Sequence, residues 1–252
     1  MKNIFYYVDL KKEYQPLYKN YKEAFLKKHP NAYERACEEY AAEMVRKRAR
    51  KLFNFKDIQE QIKANADLKD ILLLHKSCAE RGYTDNYYSF INDILSEAKS
   101  VFDVGCGLNP GMVLTEYPNI PQYFCYDKDT KIQKLLQLLN EKYLGNRLTI
   151  FPDSEWCKDD GILKIYSDLL LAQKLISNLL YSRNTKMTDR LAAIKAKYYL
   201  VTGCIQSLSR TVSIREDENK ALEWFISRYG FQKIRYIETP NEFGWLLVKT
   251  PK

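Results

Sequence analysis

One stretch near the middle of the chain, residues 100–110, constrains the fold more than any other. It reads Ser-Val-Phe-Asp-Val-Gly-Cys-Gly-Leu-Asn-Pro, with apolar residues around Asp103, then a Gly-Cys-Gly turn, then Pro110. The apolar, β-branched run predicts a buried strand, and a proline suits the first turn of a helix. Gly105 and Gly107 permit backbone conformations and close approaches that a Cβ atom prevents. A strand, a glycine turn and a helix in this order are typical of an open α/β sheet, whose ligand site lies beyond the carboxyl ends of its strands.

The glycine spacing narrows the class of ligand. The turn is not G-x-G-x-x-G, so a dinucleotide is not favoured. An acidic residue in the strand, here Asp103, followed by a single G-x-G resembles the cofactor turn of methyltransferases that depend on S-adenosylmethionine (SAM). A turn that uses its glycines only for close packing is the alternative interpretation.

A second acidic residue follows at the spacing that a nucleoside site requires. Residues 122–128, Gln-Tyr-Phe-Cys-Tyr-Asp-Lys, predict a strand that ends at Asp127, 22 residues beyond Gly105. The two oxygens of a carboxylate at this point can accept hydrogen bonds from both hydroxyls of a ribose. Asp127 or Asp129 could instead cap the next helix. The turn and the acidic residue together favour a nucleoside-binding site.

Alternating patterns predict the rest of the sheet. The later strands are expected at 147–152, 166–174, 197–203, 233–238 and 243–249, with helices at 130–143, 187–196 and 216–229 and a closing hairpin at 239–242. We therefore predict an α/β fold with a seven-stranded mixed sheet, the Rossmann-like fold of SAM-dependent methyltransferases. This domain is expected to span residues 96–252.

Residues 1–95 are predicted to form a helical, basic domain whose charge suits binding to nucleic acid. Helices are expected at 31–52, 56–63 and 67–81, the last capped by Asp67. Tyr14, Tyr18 and Tyr21 recur at helical spacing among lysines, which fits either stacking on RNA bases or a packing face. Five cations near the end of the 31–52 helix are the candidate phosphate contacts: Arg46, Lys47, Arg48, Arg50 and Lys51. A solvated helix end whose charges complement the helix dipole is the alternative.

Composition limits the remaining classes of function. The chain of 252 residues carries a net charge of +8, which suits a polyanionic partner, although the excess is shared equally between 1–95 and 96–252. Six cysteines without a C-x-x-C pair and only two histidines argue against a metal site or a disulfide framework. No apolar run of about 18 residues predicts a membrane span, and the N-terminus lacks the apolar segment of a signal peptide. We therefore expect a cytoplasmic protein without a membrane partner.

Two segments together resemble one family. Residues 71–81, Ile-Leu-Leu-Leu-His-Lys-Ser-Cys-Ala-Glu-Arg, are similar to a His-x-Ser-Thr-x-Glu-Arg signature, and residues 103–110, Asp-Val-Gly-Cys-Gly-Leu-Asn-Pro, are similar to the turn that follows it. The family is the aminoglycoside-resistance 16S rRNA methyltransferases, which modify N7 of a guanine in the decoding site. The resemblance runs from about residue 12 to the C-terminus and is strongest at 68–129 and 198–225. It implies SAM as the cofactor, 16S rRNA within the 30S subunit as the partner, antibiotic resistance as the setting and a monomeric enzyme.

The resemblance also implies roles for individual residues. Arg81 would meet the SAM carboxylate, with His75 and Glu80 beside it, and Asp127 would hold the ribose. Lys174 would lie where the base enters, and Ser207 and Arg210 would lie near it, with no residue acting as a general base. The full set of residues implied for the cofactor is His75, Arg81, Asp103, Gly105, Cys106, Gly107, Asn109, Asp127, Lys128, Asp153, Ser154 and Lys174.

The chain departs from the family pattern at three places. Cys78 stands where the signature has threonine, and Ser177 stands where a proline commonly follows the lysine after the fourth strand. Residues 207–214, Ser-Leu-Ser-Arg-Thr-Val-Ser-Ile, replace a glycine-bearing basic loop. Because that loop lies near the target base, a methyltransferase of another RNA or of a small molecule, or a relative that binds SAM or RNA without catalysis, stays open as an alternative.

Overall fold

The computed structural model describes residues 10–49, 53–82, 87–158, 160–209 and 211–249, without the side chains of residues 155, 157 and 158. The chain forms two compact units. The smaller unit comprises Met1–Leu52 and Ile205–Arg215, and the larger comprises Phe53–Cys204 and Glu216–Lys252. Residues 53–95 therefore belong to the same unit as the sheet. Whether the division of function falls at residue 95 stays a prediction.

The smaller unit is built on two helices, α1 (Gln15–Lys28) and α2 (Glu34–Ala49). Small side chains of α2 pack against two tyrosines near the start of the chain, Tyr14 and Tyr18, which are buried. These two rings therefore form a packing face, as the second interpretation of their spacing predicted, and are not surfaces for RNA bases. Leu208 also packs against this cluster, and the N–H of Lys11 donates to the carbonyl of Ser209.

The larger unit contains a seven-stranded sheet in the order β3-β2-β1-β4-β5-β7-β6. The first five strands pair in parallel, and β7 runs antiparallel to both β5 and β6. This is the predicted α/β fold with a mixed sheet closed by a hairpin. The strands are β1 (Ser100–Val104), β2 (Gln122–Tyr126), β3 (Leu148–Phe151), β4 (Tyr166–Gln173), β5 (Lys195–Cys204), β6 (Phe231–Glu238) and β7 (Glu242–Lys249).

The helices of this unit cover the sheet and carry residues to its carboxyl edge. They are α3 (Phe55–Lys63), α4 (Leu68–Leu73), α5 (Lys76–Gly82), α6 (Asn92–Leu95), α7 (Asn109–Glu116), α8 (Thr130–Lys142), α9 (Asp153–Lys158), α10 (Ile176–Tyr181), α11 (Thr185–Ala193) and α12 (Arg215–Tyr229). Within the described ranges, no helix has both the length and the apolar character needed to cross a bilayer.

The prediction of a single helix over 67–81 is wrong. Asp67 does cap α4, since its side chain accepts a hydrogen bond from the N–H of Lys69. The helix then ends because Leu74 and His75 bond to carbonyls only three residues back, and α5 begins when the carbonyl of His75 accepts from residues 78 and 79. The predicted helix at 187–196 is also displaced: the Asn184 side chain starts α11 earlier, and β5 begins at Lys195.

Candidate functional site

The glycine turn after β1 is tied to the end of β2. The N–H groups of Gly105 and Cys106 both donate to the carbonyl of Tyr126, at 2.8 and 3.2 Å. Gly105 and Gly107 have φ angles of +70° and +55°, a region that side chains with a Cβ rarely adopt. A Cβ at Gly107 would also lie 3.0 Å from Cε1 of His75. The turn therefore requires glycine for its backbone conformation and for its packing against protein side chains.

Asp127 lies beside this turn at the end of β2. Its Oδ2 accepts the N–H of Gly107 at 2.9 Å, and its Oδ1 accepts the N–H of Asp129 at 2.9 Å. Burial raises the pKa of Asp127, although these two hydrogen bonds act in the opposite direction. Asp129 is the residue that caps α8, because its side chain accepts the N–H of Lys131. The helix thus does not need Asp127 as its N-cap, and that carboxylate faces the turn instead.

A buried network links Asp103 of β1 to Arg81 of α5 through Asn109. Nδ2 of Asn109 donates to Oδ2 of Asp103 at 2.7 Å, and Oδ1 of Asn109 accepts from Nη1 of Arg81 at 3.2 Å. The hydroxyl of Tyr123 donates to the same oxygen of Asp103 at 2.9 Å. Burial raises the pKa of Asp103 to about 6 against the opposing effect of these two hydrogen bonds. The predicted residues Arg81, Asp103 and Asn109 are therefore brought together in one cluster.

Beside this cluster, two carboxylates hold Lys174. Its Nζ lies 2.8 Å from Oε2 of Glu80 and 3.1 Å from Oε1 of Glu242. Burial alone would lower the pKa of Lys174, but Glu242 and Glu80 outweigh that effect and raise it. The backbone of Lys174 has a φ of +56°, in the left-handed region, where its N–H bonds to Thr202. Such backbone strain at a buried charged residue is characteristic of functional sites.

His75 packs against the same turn as a neutral side chain. It is buried, and burial together with the positive charge of Arg81 lowers its pKa to about 4. Its Nδ1 has no hydrogen-bond partner among the residues that the structure describes, and its ring centroid lies 5.4 Å from that of Phe53. A buried ring nitrogen without such a partner is uncommon in folded proteins.

The predicted residues at the ends of β2 and β3 form a looser group. The hydroxyl of Tyr126 donates to Oδ1 of Asp153 at 2.5 Å, and its ring stacks on Trp156 at 4.6 Å. Lys128 and Ser154 are exposed. Asp153 therefore lies at the carboxyl edge of the sheet, where its side chain contacts β2 through Tyr126.

Comparison with known proteins identifies the fold. No family model matches the sequence, and no curated protein matches it. Among solved structures, the 16S rRNA methylase RmtB has a TM-score of 0.61 at 19% identity, with 95% of this chain and 94% of that chain covered. The 16S rRNA methylase ArmA has a TM-score of 0.60 at 20% identity, with 78% and 98% covered. The chain has the fold of the 16S rRNA methylases.

A third methylase structure carries a ligand. The 16S rRNA methyltransferase RmtF, in complex with S-adenosyl-L-homocysteine, has a TM-score of 0.58 at 17% identity, with 96% of this chain and 92% of that chain covered. The resemblance predicted from residues 71–81 and 103–110 is thus confirmed for the fold. At identities of 17–20%, these structures identify the fold of this chain.

The methylase fold brings four residues to the site that the sequence patterns did not single out. Tyr88 donates to Oδ1 of Asn109 at 2.5 Å, and Gln173 accepts from Asn109 and donates to Tyr87 at 3.0 Å. Glu242, predicted only as a hairpin residue, is buried between Arg81 and Lys174. Polar residues inside otherwise apolar strand ends, at 173 and 242, were the available signal, because such groups are buried only with partners.

The remaining predicted residues lie either in the smaller unit or outside the described residues. Ser207 belongs to the smaller unit, and Arg210, Arg50 and Lys51 lie outside the described residues. Arg46, Lys47 and Arg48 occupy the last turn of α2, where Lys47 pairs with Glu43 at 3.1 Å. Three of the five candidate phosphate contacts therefore lie together at the end of α2.

Proposed function

We propose that this protein is a SAM-dependent methyltransferase that acts on 16S rRNA in the 30S subunit and methylates N7 of a guanine in the decoding site. One observation carries the proposal. The buried set Arg81, Asn109 and Asp103 lies at the carboxyl edge of β1, beside a glycine turn hydrogen-bonded to Asp127. A guanidinium suits a carboxylate, and an acidic residue suits a ribose, which are the two ends of SAM.

The residues fit such a cofactor in charge and in shape. Asp127 uses its two oxygens for one backbone N–H each, and a carboxylate oxygen can accept a further hydrogen bond from a ribose hydroxyl. The turn between Gly105 and Gly107 brings backbone close to this carboxylate, as a bound nucleoside requires. The unpartnered Nδ1 of His75 lies at the same turn. These features support Asp103, Gly105, Gly107, Asn109, Asp127 and Arg81 as the cofactor contacts.

The chemistry asks little of the side chains beyond positioning. SAM supplies a methyl group on a sulfonium sulfur, and guanine N7 has a lone pair with no proton to lose. The protein must align the two and exclude water, and it needs no general base. Lys174 fits this account because two carboxylates hold it as a cation. It cannot take up a proton, but it can orient the polar edge of an incoming base.

Recognition of the ribosome is assigned to the basic end of α2. Arg46, Lys47 and Arg48 form a cluster of positive charge in its last turn, and phosphate contacts account for most sequence-independent affinity for nucleic acid. A substrate inside the 30S subunit places the enzyme in the cytoplasm.

A base within a folded rRNA has to leave its stack to reach the methyl group.

Transfer of a labelled methyl group from SAM tests the proposal. Purified protein is offered isolated 30S subunits, naked 16S rRNA and tRNA, and labelled positions are mapped by cleavage at 7-methylguanine. Label on 30S subunits at a decoding-site guanine supports the proposal. The altered residues 207–214 favour a second candidate, a methyltransferase of another RNA, and label on tRNA alone would support it. Binding of S-adenosylhomocysteine without any transfer would instead indicate a non-catalytic relative.

A further inference from the structure

The carboxylate of Glu242 pairs with both Arg81 and Lys174. The proposed function assigns Arg81 to the cofactor and Lys174 to the incoming base. Oε1 of Glu242 lies 3.0 Å from Nε of Arg81 and 3.1 Å from Nζ of Lys174, while its Oε2 accepts the hydroxyl of Thr202 at 2.8 Å. Glu242 is 1% exposed, and it is the first residue of β7. Three elements besides β7 therefore converge on one buried side chain: α5, β5 and the turn after β4.

The electrostatics of this group require the carboxylate. Arg81 and Lys174 carry like charges, and the charge of Arg81 acts to lower the pKa of Lys174. Burial would raise the pKa of Glu242, but Arg81 and Lys174 outweigh it and hold the pKa at about 2. The carboxylate is therefore ionised near neutral pH, where it acts as a fixed anion between the two cations.

The same contacts fix the direction of Arg81. Nε is held by Glu242 and Nη1 by Asn109, so two atoms of the planar guanidinium are tied to two different elements. The ring of Tyr87 lies 5.4 Å from the guanidinium carbon and supports one face of the plane. A guanidinium held in this way meets a ligand carboxylate without first losing its own rotational freedom.

We propose that Glu242 is a positioning residue that aligns Arg81 for the carboxylate of the cofactor and couples it to Lys174 on the acceptor side. This inference rests on the proposed function. Arg81 and Lys174 both contact Oε1 of Glu242. When a ligand carboxylate neutralises part of the charge of Arg81, Arg81 attracts that oxygen less, and the ion pair between Glu242 and Lys174 becomes stronger. Cofactor binding therefore tightens the hold on Lys174 before the base arrives.

Calorimetric titration with S-adenosylhomocysteine tests the positioning role without activity. Glu242→Gln keeps the shape of the side chain and removes its charge, and we expect an affinity loss of about tenfold or more. Glu223→Gln is the matched control, since Glu223 pairs with Lys233 at a partly exposed site on α12. That variant should bind like the wild type.

A charge-balanced double variant separates positioning from folding. Glu242→Gln alone leaves two buried cations together and is expected to lower the melting temperature. Lys174→Met in the same chain removes one of those cations, so we expect most of the melting temperature to return. The affinity for S-adenosylhomocysteine should stay about fivefold or more below that of Lys174→Met alone, because Arg81 has lost its partner.

Three results of these binding measurements would contradict the inference. If the double variant binds S-adenosylhomocysteine as tightly as Lys174→Met, Glu242 is only a counterion and the inference is overturned. If Glu242→Gln binds like the wild type, the inference is overturned while the proposed function stands. If the wild-type chain itself fails to bind S-adenosylhomocysteine, the proposed function fails and the inference falls with it.

Discussion

The backbone N–H of Gly107 donates a hydrogen bond of 2.9 Å to Oδ2 of Asp127, and this contact joins the turn after β1 to the end of β2. The hydrogen bond holds these two residues, 20 positions apart in the sequence, side by side. Since Gly107 has a φ of +55°, its N–H points to Asp127 only in a conformation that favours glycine. The turn and the carboxylate consequently have to be tested together.

Replacing Asp127 by alanine should abolish measurable binding of S-adenosylhomocysteine, a loss of about a hundredfold or more in affinity. The physical reason is the loss of the acceptor for ribose together with the partner of Gly107. Isothermal titration calorimetry provides the measurement. Asp70→Ala is the control, because Asp70 is exposed in the first turn of α4. Unchanged affinity in Asp127→Ala would remove this residue from the site.

Replacing Asp103 by asparagine should change how stability depends on pH. The folded-state pKa of Asp103 is raised to about 6, so the folded chain binds more protons than the unfolded chain between pH about 4 and 6. The stability that Asp103 contributes is therefore greatest below pH about 4 and falls as pH rises through 6. Because asparagine cannot ionise, the variant should lack this fall, which is about 2–3 kcal/mol at most.

Urea unfolding of both proteins at about pH 4 and about pH 7.5 measures that difference, because these values enclose the range between the unfolded-state pKa and the folded-state pKa of about 6. Asp168→Asn is the matched control, since Asp168 accepts backbone N–H groups of Lys99 and Ser100 at the opposite edge of the sheet. Parallel pH profiles of wild type and Asp103→Asn would show that folding does not raise the pKa of Asp103.

Neutralising Arg46, Lys47 and Arg48 to glutamine should weaken binding to 30S subunits and leave affinity for S-adenosylhomocysteine unchanged. Each lost phosphate contact should reduce the slope of log K against log salt by about 0.7–0.9. Filter binding at several salt concentrations gives the slope. The control removes equal charge at the other end of the helical pair, by glutamine at Lys27, Lys28 and Arg35, which are exposed. Equal losses in both triple variants would mean that charge acts without a defined footprint.

The rate of methyl transfer at saturating substrate should be independent of pH between about 6.5 and 8.5. N7 releases no proton, and the pKa of Lys174 is raised because Glu242 and Glu80 outweigh the effect of burial. Lys174→Met should lower the rate without introducing a pH dependence. An inflection in the wild type that disappears in Lys174→Met would identify Lys174 as a base and contradict the positioning mechanism.

The positions of the strands along the chain and the glycine turn were predictable because both depend on local pattern. The run into Asp103 and the acidic residue at 127 correctly marked the ends of β1 and β2. The break at Leu74 and His75 was not predictable from the sequence pattern, because no glycine or proline stands there and the tightened turn depends on backbone hydrogen bonds. The contact between Arg81 and Glu242 joins residues 161 positions apart. It depends on the topology of the sheet, so no local sequence pattern predicts it.

The membership of residues 205–215 in the smaller unit has a consequence for protein engineering. Leu208 packs on the cluster of α1 and α2, and Ser209 accepts the N–H of Lys11, so this loop and the first helices are folded on one another. A chimera that borrows its first 52 residues from a protein of the same fold must borrow the loop after β5 as well. The two segments therefore have to be exchanged together as one block.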